Sequence, residues 1–85
     1  MKKVQGLAQA FGKVIAEMRA SRGMSQEQLA ESIDATNVYI CLLETGQRQP
    51  SLTAALLLAE SLGVMPEELV KRVCDTLQKS SEQMS

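Results

Sequence analysis

Residues 25–46, SQEQLAESIDATNVYICLLETG, decide how the rest of this chain is read. Ser25-Gln26-Glu27-Gln28 has the form of a capping box, in which the Ser25 hydroxyl and the Gln28 side chain reciprocally satisfy orphan backbone N–H groups. A helix therefore starts here. Leu29 and Ile33 lie one turn apart and face inward, and Asp34, which tolerates left-handed backbone better than most residues, keeps the helix short. Thr36 is placed to cap a second helix that Gly46 terminates. On that second helix Ile40 and Leu43 fall on one side. Asn37, Val38, Cys41, Leu42 and Thr45 recur at three- and four-residue steps on the other. Two short helices joined by a turn of about three residues, with Leu29 and Ile33 facing Ile40 and Leu43, make a helix-turn-helix over about residues 25–45.

Working outward, Leu7, Phe11, Val14, Ile15 and Met18 form one apolar stripe at helical spacing, which predicts a helix from about Leu7 to Ala20 stopped by Gly23. Ser51 opens a further helix to about Leu62, with Leu52, Leu56 and Ala59 inward and Gly63 as terminator. A last one starts with Pro66 in its first turn and Glu67 and Glu68 on the favourable end of its dipole, and runs to about Lys79. Few aromatics and an abundance of Ala, Leu, Glu and Gln agree with this palette. The expectation is an all-α fold of five helices, one domain over residues 1–79, with residues 80–85 frayed.

Composition excludes several classes. With 85 residues there is room for one modest core. Cys41 and Cys74 form no C-x-x-C pair and the chain has no histidine, so no metal site is expected. Gln5, Gln9 and Lys13 interrupt the N-terminal apolar residues, so no signal peptide forms, and no apolar run is long enough for a membrane. A cytoplasmic protein with reduced thiols is expected. The net charge of −1 predicts no general electrostatic attraction to nucleic acid, so any such contact must come from local geometry. Without histidine, a glycine-rich phosphate loop or a nucleophile-base arrangement there is no catalytic chemistry to assign and no cofactor to expect.

The run Arg19-x-x-Arg22-Gly23-Met24-Ser25-Gln26-Glu27-x-Leu29-Ala30-Glu31, followed by Tyr39-Ile40, Glu44-x-Gly46, Arg48-x-Pro50-Ser51-Leu52, Leu62-Gly63-Val64 and Pro66-Glu67-Glu68-Leu69, resembles the phage repressor and Cro-like helix-turn-helix regulators of the xenobiotic-response-element family. The resemblance covers roughly Phe11 to Leu69. It implies a lambda-repressor-like domain that binds double-stranded DNA, its second helix across the backbone and its third, residues 36–45, in the major groove. Carried over residue by residue, Gln26 looks like a phosphate clamp aided by the backbone N–H groups beside it, and Arg48 is similar to a second backbone-contacting point. The implied DNA-contacting set is Gln26, Thr36, Asn37, Val38, Tyr39, Cys41, Leu42 and Arg48. Arg19 and Glu44 match positions that pair across helices one and three, a structural role. Arg22 is open to two readings, a phosphate contact or a complement to the helix dipole. Tyr39 either packs on the scaffold or also aims its hydroxyl at a phosphate.

This sequence departs from the family on the outer flank of the third helix. Many members carry Arg, Lys or Gln where Leu42 stands and Ser where Cys41 stands, whereas here the flank has no charge. Val38 and Leu42 suit thymine methyls and Asn37 suits adenine, whose bidentate recognition discriminates by about 1–3 kcal/mol. The alternative is a helical protein-interaction module, of antitoxin or phage accessory type, that binds a protein through the Val38 and Leu42 face. Lys2, Lys3, Lys13, Arg22 and Arg48 are the basic residues available to a duplex, opposed by Glu27, Glu31 and Asp34. In the last helix Leu69, Val70, Val73, Cys74 and Leu77 make a stripe wider than one core contact needs, which predicts a homodimer reading a near-palindrome with recognition helices about 34 Å apart. Length and the short last helix are also similar to restriction-modification controller proteins. No small-molecule ligand is expected.

Overall fold

The computed structural model describes residues 1–83 and contains five helices: α1 (Leu7–Ser21), α2 (Gln26–Ser32), α3 (Asn37–Glu44), α4 (Leu52–Ser61) and α5 (Pro66–Gln83). No strand occurs among the described residues. The starts of α2, α3 and α4 follow from side-chain caps. Ser25 Oγ accepts from the Gln28 backbone N–H at 3.0 Å while Gln28 Oε1 accepts from that of Ser25 at 2.8 Å. Thr36 Oγ1 accepts from Tyr39 N–H and Ser51 Oγ from Ala54 N–H, each at 3.1 Å. Caps of this kind are worth about 1 kcal/mol each. The last helix runs past Lys79 to Gln83, through part of the stretch expected to fray; residues 84–85 lie outside the described ones.

Four helices end in one way. A backbone N–H just past the helix returns to the carbonyl five residues earlier: Met24 to Arg19, Ala35 to Ala30, Gln47 to Leu42 and Val64 to Ala59, all at 2.9–3.1 Å. This closure needs one left-handed residue. Glycine supplies it three times, and Asp34, with φ 55°, supplies it between α2 and α3. Asp is among the few side chains that reach this region at moderate cost, so the turn Ile33–Thr36 is set by its own sequence.

Ile15, Met18, Leu29, Ile40, Leu43, Leu58, Leu62 and Leu69 are the large, fully buried side chains, each worth about 1.5–3 kcal/mol of apolar burial. The first helix packs on α3 and α5, α2 on α3 and α4, and α4 on α5. The approach of α1 to α3 is unusually close. A Cβ on Gly12, in the middle of α1, would lie 2.8 Å from the Glu44 carbonyl oxygen and closer still to that of Leu43. The last turn of α3 thus rests on bare α1 backbone.

Two sequence expectations are corrected here. In α4, Ala59 is buried as expected, but Leu52 and Leu56 are 76% and 46% exposed, and Ala54 and Leu58 are buried in their place. The stretch LTAALLLAES is apolar on nearly every side, so its periodicity does not select one inward face. In α5, Leu69 and Val73 belong to the monomer's own core at 1% and 5% exposure, leaving Val70 and Cys74 exposed and Leu77 half-buried. Val4, Leu52, Leu56, Val70, Cys74 and Leu77 line a groove of about 460 Å³, floored by buried Leu69 and Val73 between α1, α4 and α5.

Gly12 offers a test in which two effects have opposite signs. Helix propensity alone makes an interior Gly→Ala change stabilising by about 1 kcal/mol. The clash with the α3 carbonyls makes Gly12→Ala destabilising by about 2 kcal/mol or more. Urea unfolding followed by circular dichroism reads the sign directly; a gain in stability would contradict the close approach.

Candidate nucleic-acid interface

Glu44 closes α3 at the end where the helix dipole disfavours a negative charge, and its side chain is only 6% exposed. Arg19, from α1, makes this tolerable. Its Nε donates to Glu44 Oε2 at 2.7 Å and its Nη2 to Oε1 at 3.1 Å, a two-pronged match of planar groups. Its Nη1 donates to the Met24 carbonyl at 2.8 Å, in the loop before α2. Gln26, the first residue of α2, donates from Nε2 to the same Glu44 Oε1 at 2.9 Å. One carboxylate therefore ties α1, α2 and α3 together. Hydrogen bonding to Glu44 pushes the Arg19 guanidinium up from its ordinary value, burial opposes this, and the charge of Glu44 adds to the rise. Because the folded-state value is raised, the Arg19 contribution is complete at neutral pH and is lost as pH rises into strong alkali.

This tie decides where the sequence-derived residues sit. Ile40 and Leu43 are sealed in the core, while Asn37, Val38, Cys41 and Thr45 are exposed and Leu42 is half-exposed. Val38 reaches 68% exposure, high for a valine in a folded domain. Thr36 is exposed but spends an acceptor position on its cap. Thr45 Oγ1 donates back to the Cys41 carbonyl at 2.8 Å. Gln26 is half-buried and has one amide N–H committed to Glu44, a constraint on the phosphate-clamp expectation that the sequence did not reveal. Tyr39 is half-buried with its ring against the core, and Arg48 sits over that ring. Arg22 resolves toward structure: its Nε donates to the Leu62 carbonyl at 2.6 Å and its Nη1 to that of Met18 at 3.1 Å, joining the ends of α1 and α4.

The geometry supplies one uncharged helical flank, open to solvent, and a separate apolar groove. No helix among the described residues is long and apolar enough to cross a membrane.

Residues 15–70 match the helix-turn-helix family. The chain is 32% identical over 65 residues to an uncharacterized HTH-type transcriptional regulator, y4dJ, of Sinorhizobium fredii, covering 76% of this chain and 84% of that protein. It is 42% identical over 50 residues to another from Methanothermobacter thermautotrophicus, covering 59% and 72%. Among solved structures it is similar to the restriction-modification controller protein C.AhdI from Aeromonas hydrophila, with TM-score 0.70 and 39% identity over 73% of this chain and 94% of that one. The clp gene regulator ClgR from Corynebacterium glutamicum shares the fold, with TM-score 0.87 at 22% identity over 92% of this chain and 83% of that one.

Removing the shared carboxylate tests the tie. Glu44→Ala leaves the Arg19 charge uncompensated at 18% exposure and is expected to cost about 3 kcal/mol, the low end for a broken buried pair. Chemical unfolding measures it, and a loss below about 1 kcal/mol, the scale of a surface ion pair, would contradict the assignment.

Proposed function

Because this chain belongs to the xenobiotic-response-element type of helix-turn-helix regulators, we propose that it is a sequence-specific double-stranded DNA-binding regulator that reads the major groove with α3 as a homodimer on a near-palindromic operator. The observation that carries the reading is the division of α3: Ile40 and Leu43 lock one flank into the fold and leave Asn37, Val38 and Cys41 open on the other. A helix held this way presents its first turns to base edges. Asn37 is the one side chain on that flank able to pair bidentately with adenine, and Val38 and Leu42 suit thymine methyls, so the operator is expected to favour A·T pairs at these contacts.

The groove between α1, α4 and α5 supports the homodimer. An isologous contact places the same apolar patch on both sides of a two-fold axis, and Leu52, Leu56, Val70 and Cys74 are exposed where a second copy would cover them. Such a dimer works beside the chromosome, in the cytoplasm. The net charge of −1 means that steering toward DNA is weak and that affinity rests on a few placed contacts.

Selection from a random duplex pool tests the proposal. The expected product is a near-palindrome with half-sites about 10 base pairs apart, bound with a log–log salt slope of about −5 for roughly three phosphate contacts per protomer. Leu42→Arg is expected to preserve or strengthen binding. Uniform weak binding without a consensus, with Leu42→Arg abolishing a protein complex instead, would favour the protein-partner reading of the Val38 and Leu42 face.

A further inference from the structure

The chain has two aromatic side chains, Phe11 and Tyr39. Phe11 is buried in the core, whereas the Tyr39 ring is half-buried, with one part against the core cluster and the rest toward solvent. Its position is fixed from below by packing and at the backbone by the Thr36 cap, which accepts from the Tyr39 N–H. The Arg48 guanidinium carbon lies 5.8 Å from the ring centroid, inside the roughly 6 Å at which an aromatic face attracts a cation. Arg48 is exposed and has no ion-pair partner among the described residues. A free arginine on a flexible stem loses rotamer freedom when it grips a phosphate. Stacking on a fixed ring removes part of that cost before the ligand arrives.

We propose that Tyr39 is a positioning residue: the face of its ring holds the Arg48 guanidinium beside the outer flank of α3, ready for a backbone phosphate. The inference rests on the duplex-binding reading and deepens it. It also separates two roles that the sequence left together, because the ring matters here and the hydroxyl does not. Arginine is required over lysine, since a compact, strongly hydrated ammonium stacks poorly on an aromatic plane.

The test is a double-mutant cycle in affinity for the selected duplex, with thermal unfolding of every variant recorded alongside. Tyr39→Phe should bind as the wild type does. Tyr39→Leu should bind roughly five- to thirtyfold more weakly across the two protomers, the scale of an exposed cation–π contact at each, with the salt slope retained because Arg48 is still present. Arg48→Ala should lose affinity and flatten the slope by about 2, one phosphate per protomer. The pair Tyr39→Leu with Arg48→Ala should bind no more weakly than Arg48→Ala alone. A loss with Tyr39→Phe equal to that with Tyr39→Leu would overturn the proposal in favour of a hydroxyl contact. Losses that multiply would overturn it in favour of independent roles. Should Tyr39→Leu fail to fold, Tyr39→Phe and Arg48→Lys decide: unchanged and weakened binding respectively support the platform, and the reverse sinks it. A wild-type protein that selects no duplex would remove the duplex reading and this inference together, whereas normal wild-type binding with a neutral Tyr39→Leu removes only the inference.

Discussion

Glu44 places a nearly buried negative charge at the end of α3 that the helix dipole opposes, and the surrounding structure is organised to satisfy it. Arg19 reaches it from α1 with two N–H groups, and Gln26 reaches it from α2 with a third. The three helices are pinned at one point, close to where Gly12 lets the α3 carbonyls lie on α1. These constraints reinforce each other. The glycine permits the approach and the carboxylate fixes its register, so α3 has little freedom to roll. Rolling α3 by a single residue would carry Leu43 out of the core and Asn37 into it.

The same economy explains how a nearly neutral protein can act on a polyanion. In the proposed function, specificity on the uncharged outer flank of α3 comes from shape, apolar contact and the Asn37 amide rather than from charge. Arg22 donates to the carbonyls that end α1 and α4 and joins the two helices. Arg48 is left over, unpaired among the described residues and already seated on Tyr39. Two places leave apolar side chains open together, the outer flank of α3 with Val38 and half-exposed Leu42, and the groove by α5 with Val4, Leu52, Leu56 and Val70. The proposed function uses both, one for the operator and one for a second copy.

Much of this was legible in the sequence because it was written in local chemistry. Ser25, Thr36 and Ser51 announce helix starts through their hydroxyls, and Gly23, Asp34, Gly46 and Gly63 announce the ends through the backbone they permit. The division of α3 into two flanks followed from spacing alone, and the family resemblance identified Arg19 and Glu44 as partners. What stayed hidden depends on contacts between distant segments. In α4 the apolar residues surround the helix, so only packing against α2 and α5 could decide that Leu58 goes in and Leu52 out. In α5 the spacing shows a broad stripe, but its division between own core and open surface depends on where α1 lies. Gly12 carries no signal at all, since a mid-helix glycine reads as a weak point until the approaching carbonyls are known. The bond from Gln26 to Glu44 was hidden for the same reason.

The protein carries its own reporters on the two open surfaces, since Cys41 on α3 and Cys74 on α5 are both exposed free thiols. Alkylation of each thiol, timed with and without the selected duplex, tests whether α3 turns its outer flank to DNA. Thiol reaction requires access as well as ionisation, so the account predicts that saturating duplex protects Cys41 strongly and leaves any protection of Cys74 to follow protein concentration. Unchanged reactivity of Cys41 in the saturated complex would contradict it.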